Sequence, residues 1–70
     1  MNDAMGELVQ RQRQQVATMR YSLELFELGV MQLYHNHKDV SAGHMTYLRD
    51  AIEDTERLIA TLERENSQGS

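Results

Sequence analysis

An all-α fold, an antiparallel two-helix hairpin of coiled-coil type, is what this sequence predicts, and three observations predict it. Val9, Val16, Leu23 and Val30 recur every seven residues, interleaved with Met5, Gln12, Met19, Phe26 and Leu33, which is the spacing of an a/d heptad seam. Met45, Ile52 and Ile59 alternate with Leu48, Thr55 and Leu62 and repeat the pattern further along. Antiparallel helices set e positions against e positions, and one register brings Arg13 to Glu63, Arg20 to Glu56 and Glu27 to Arg49. The same register faces Leu33 with Met45, Val30 with Leu48, Phe26 with Ile52, Leu23 with Thr55, Met19 with Ile59 and Val16 with Leu62.

The first helix is expected over residues 3–35, started by Asn2 or Asp3 as a cap and unbroken because the chain has no proline. Gly29 falls inside it, where glycine costs about 1 kcal/mol relative to alanine. A close helix contact on the small flank formed by Ser22, Gly29, Ala51 and Leu58 would explain it. A turn is expected over residues 36–41, where Asn36 and Asp39 suit reversal, with Ser41 capping the next helix. The second, shorter helix is expected over residues 42–65, followed by a frayed polar tail, 66–70. Met5, Leu8 and Val9 then project past its end, an apolar stripe with nothing in the chain to cover it.

One domain over residues 1–70 is all the length allows, and a core of this size rarely supplies more than about 3 to 5 kcal/mol. The chain has no cysteine, so neither a disulfide nor a thiolate metal site can reinforce it. A self-associated or partner-bound state is therefore expected. No apolar run approaches a bilayer span, and no basic segment followed by a hydrophobic stretch marks a signal peptide, which predicts a soluble cytoplasmic protein. The net charge of −4 argues against a general nucleic-acid binder. Arg11, Arg13 and Arg20 read as a solvated face answering the acidic second helix.

Catalysis is not expected, since two helices enclose no pocket in which groups could converge. Asp50, Glu53, Asp54 and Glu56 alternate with Arg49 and Arg57 at helical spacing, as on a solvated face. His35, His37 and His44 flank the turn beside Asp39, but a His-x-His turn alone is thin support for Zn or Ni, and no metal or cofactor is expected. Ser41 and His44 lack a third group to orient a base. Small two-helix phosphatases of response regulators carry a Ser-x-x-x-Asp helix motif, and after Ser22 the position of that aspartate holds Phe26. The chemistry of this chain is therefore that of binding.

The first helix is more apolar than one seam requires: Tyr21, Leu25, Leu28 and Met31 form a second stripe on its back. A helix with two apolar faces must bury both. With Gly29, Ala51 and Leu58, and Tyr47 as a hydroxyl-bearing rim, this stripe forms the expected partner-binding surface, extended by Met5 and Leu8 at the far end. Either a second copy or a different protein would bury the same area.

The order of features, with MTYLRDAIEDTERLIATLERE over residues 45–65 and RQQVATMRYSLELFELGVMQLYHN before it, resembles the small co-chaperones of the bacterial type III secretion needle subunit, the YscE/SsaE-like family. The resemblance covers residues 10–65, apart from the glutamine-rich start and the histidine-containing turn. It implies a cytoplasmic hairpin that binds and stabilises a tetratricopeptide-like chaperone, the pair holding the needle subunit monomeric until export. A self-associating structural or regulatory hairpin is the alternative reading.

Overall fold

The computed structural model describes residues 3–68, with side chains over 4–66. Two helices, α1 (Asp3–Glu27) and α2 (Ser41–Gln68), pack antiparallel along their length in a body of 52 × 20 × 15 Å. All three expected cross-helix ion pairs form: Arg13 with Glu63, Arg20 with Glu56 at 2.7 Å, and Arg49 with Glu27 at 3.6 Å. Each stays about half exposed and so contributes only about 0 to 1 kcal/mol. Their value is in fixing the alignment, which closes the seam. Val16, Ile52 and Ile59 form its buried centre, with Val9, Met19 and Leu23 packed against them, while Phe26 and Leu48 bury nearer the connection.

The helix ends depart from expectation. α1 stops at Glu27 rather than near residue 35, and α2 runs on to Gln68, so α2, at 28 residues against 25, is the longer helix. A glycine end motif terminates α1. Gly29 sits at φ +76°, its N–H donates to the Phe26 carbonyl at 3.1 Å, and the Val30 N–H reaches back to the Leu25 carbonyl at 2.9 Å. These are the two bonds of a Schellman cap, which satisfy carbonyls that the helix end would otherwise leave open. Gly29 is therefore not a helix-interior residue, and no close contact requires it, because a Cβ there would meet nothing within 4 Å. What it supplies is the left-handed backbone. Gly29→Ala should lower stability by about 1 to 2 kcal/mol, the cost of that conformation for an L side chain, as a reduced urea midpoint at unchanged slope.

Val30 and Leu33, freed from the helix, do not enter the expected helix–helix pairs with Leu48 and Met45; they are 69% and 41% exposed. The chain instead forms a miniature hairpin of β1 (Tyr34–His35) and β2 (Lys38–Asp39), with Tyr34 opposite Asp39 and His35 opposite Lys38. Asn36 and His37 link them at φ 51° and 65°. Two consecutive left-handed residues give the turn the twist that matches antiparallel strands, and asparagine tolerates that conformation well. The Val40 N–H extends the ladder to the Leu33 carbonyl at 2.8 Å.

Ser41 takes a different part from the one its position suggested. Its hydroxyl accepts the Leu33 N–H at 2.8 Å, tying the connection to the helix start, and the Val40 carbonyl accepts the first helical bond, from His44. The cap at this end is Asp39, whose Oδ1 accepts the Ser41 N–H at 2.9 Å. The Ser41 hydroxyl, and after it the Ser41 N–H, hold the Asp39 carboxyl below its ordinary 3.8, against the opposing effect of desolvation. A carboxyl with a lowered folded pKa stabilises the fold above its unfolded value and loses that contribution as pH falls through the folded one. Thermal unfolding from pH 6 to pH 2.5 should accordingly show a decline below about pH 4 that is shallower in Asp39→Asn than in the parent. Parallel declines in the two proteins would show that the decline originates elsewhere. The expected Asn2 cap and the end of the polar tail at 69–70 lie outside the described residues.

Candidate docking surface

With the register fixed by the ion pairs, the e positions occupy one flank of the hairpin and the g and c positions the other. On the e flank, Arg13, Val16, Glu56, Ile59, Ala60 and Glu63 line an open depression of about 240 Å³. Its charges are already used, Arg13 on Glu63 and Glu56 on Arg20. The flank therefore offers no convergent group for chemistry.

Away from the ion pairs lie most of the large apolar side chains that the seam does not use. Tyr21, Leu25 and Leu28 follow one another at i, i+4 and i+7 along α1 and its cap, and Tyr47, Ala51, Asp54 and Leu58 do the same on α2. Tyr21, Leu28 and Tyr47 are each more than 60% exposed and Leu58 is 45% exposed, while Leu25 and Ala51 are partly covered. By heptad position Leu25, Tyr47, Ala51 and Leu58 share the c/g flank, whereas Tyr21 and Leu28 hold f positions on the back of α1. Gly29 lies at the edge of that flank as a turn residue. Met31 does not belong to the stripe, because α1 ends four residues earlier and places it, half-buried, in the connection.

Met5 and Leu8 also differ from expectation. α2 extends three residues past Glu65, alongside the start of α1, so Val9 packs against the core and Met5 and Leu8 are half-buried rather than bare. Sequence reading missed the tip, where Val30, Leu33 and Tyr34 are exposed beside His35, His37 and Lys38. It also missed an aromatic run in which the His44 ring lies 5.0 Å from Phe26 and stacks on Tyr47 at 5.9 Å. His44 and Tyr47 are three apart on α2, so half of that contact was readable from spacing. Among the described residues no three His, Cys, Asp or Glu side chains gather so as to hold a metal ion. At the phosphatase position Phe26 is buried in the core.

The fold defines an all-α helical hairpin with large apolar side chains exposed off its seam. No family model, curated protein or solved structure matches the chain. No helix among the described residues is long and apolar enough to cross a membrane.

Proposed function

We propose that this hairpin is a non-catalytic co-chaperone that docks by its exposed apolar side chains on a tetratricopeptide-like chaperone, and through it helps keep a type III secretion needle subunit monomeric in the bacterial cytoplasm. The observation that carries the binding reading is the exposure of four large apolar side chains off the seam, Tyr21, Leu28, Tyr47 and Leu58. The residue pattern over 10–65 supplies the choice of partner. The mechanism is mass action: a ligand that binds only the folded chaperone stabilises it by about 2.7 kcal/mol at a hundredfold excess over Kd.

The test is co-expression with a tetratricopeptide-like chaperone encoded at the same locus, followed by size-exclusion chromatography with light scattering. A chaperone that becomes soluble and co-elutes one to one supports the reading. A chaperone that stays insoluble or elutes apart overturns it.

A further inference from the structure

The flank away from the ion pairs matches itself. The three cross-helix ion pairs set a constant register, so Arg11 lies level with Glu65, Thr18 with Leu58, Ser22 with Asp54, Leu25 with Ala51, and the Gly29 turn with Tyr47. These residues occupy the c and g positions of the two helices, on the flank away from the ion pairs. A two-fold axis parallel to the helices stacks α1 of one copy on α2 of the other at the same level, with antiparallel neighbours throughout. Each residue then meets the counterpart it is level with in its own chain.

Those counterparts are complementary in size and in charge. Tyr47 covers the Gly29 turn, where an added Cβ would find nothing within 4 Å, Leu25 covers Ala51, and Leu58 covers Thr18. Asp54 meets the Ser22 hydroxyl, a hydrogen-bond donor. At the open end Arg11 meets Glu65 of the second copy. Within one chain neither Arg11 nor Glu65 forms an ion pair among the described residues, although Arg13 and Glu63, two positions away, pair with each other.

We infer that in the absence of another partner the c/g flank, with Leu25, Tyr47, Ala51 and Leu58, is covered by a second copy of this chain, forming a two-fold four-helix bundle with Arg11 of each copy paired to Glu65 of the other. The inference does not rest on the co-chaperone reading. A chaperone that takes the same side displaces the second copy, so the homodimer holds the protein until that partner is present.

Sedimentation equilibrium on the full chain alone, from 1 to 200 µM, tests it. The expected result is a mass that rises with concentration from 8.1 kDa to twice that value. Arg11→Glu and Glu65→Arg should each weaken dimerisation by about tenfold, since the symmetry doubles every contact, and the double exchange should restore it. Helix content by circular dichroism should stay constant across the four proteins, because neither residue is used inside the hairpin. A chain that remains 8.1 kDa at 200 µM overturns the inference. So does a double exchange no tighter than the single ones, which would mean a dimer in another register. Both readouts use the protein alone, so failure here leaves the chaperone experiment to be judged separately.

Discussion

Replacing Ile52 with alanine should leave the hairpin largely unfolded at 25 °C, with most of its helical circular dichroism lost without denaturant. Ile52 is 6% exposed and sits with Val16 and Ile59 at the centre of the seam. Truncating a buried isoleucine to alanine costs about 2 to 5 kcal/mol through lost transfer energy and the cavity left behind. A single core in a chain this short supplies about 3 to 5 kcal/mol in all. The two figures are of the same size, so one truncation removes most of the stability. Tyr21→Ala is the matched control: at 63% exposure it should shift stability by no more than about 0.5 kcal/mol. Equal effects at the two positions would sink the assignment of the seam. If the second copy binds as inferred, the Ile52→Ala defect should shrink at high protein concentration, because association stabilises only the folded chain.

The second large effect concerns binding rather than folding. If the partner is the chaperone proposed above, Leu28→Lys should reduce affinity for it by about a hundredfold, the size expected when a well-packed apolar anchor is replaced by a charge. Helix content should be unchanged. Leu28 is 68% exposed and lies just past Glu27 at the end of α1, where a cation is favoured by the exposed carbonyls of the last turn. That location makes the variant a clean probe, since its effect on the fold is small and of favourable sign. Isothermal titration against the purified chaperone measures the first quantity and far-ultraviolet circular dichroism the second. Unaltered affinity would remove Leu28 from the docking surface, and loss of helix would place it in the core.

Much of this molecule is legible from residue order because its main determinant is periodic. A heptad pattern states which side chains share a face, and the charges at Arg13, Arg20, Glu27, Arg49, Glu56 and Glu63 admit a single antiparallel register, which the structure adopts. The exposure of Tyr21, Leu28, Tyr47 and Leu58 follows from the same periodicity, since residues off the seam of a two-helix hairpin have nothing to bury against.

Periodicity misled where it outlasts the helix. Val30 and Leu33 continue the heptad spacing, yet the chain leaves the helix at Gly29, because a side-chain pattern carries no information about where the backbone will adopt a left-handed φ. The turn over residues 36–41 was expected, but its form as a two-residue hairpin at Asn36 and His37 was not, because it has no glycine at its second central position, the usual mark of such a turn.

What the order of residues determined by itself is the hairpin and its register, because both depend on spacing along a regular helix. The end of α1 is set by the local glycine motif at Gly29, and tertiary structure decided how the connection is tied. The Ser41 hydroxyl accepts the Leu33 N–H from eight residues away, and Asp39 caps α2 in its place. The Leu33–Ser41 bond depends on groups that become neighbours only after the connection has folded back, and it has no signature in local sequence. The Asp39–Ser41 bond spans two residues and is local.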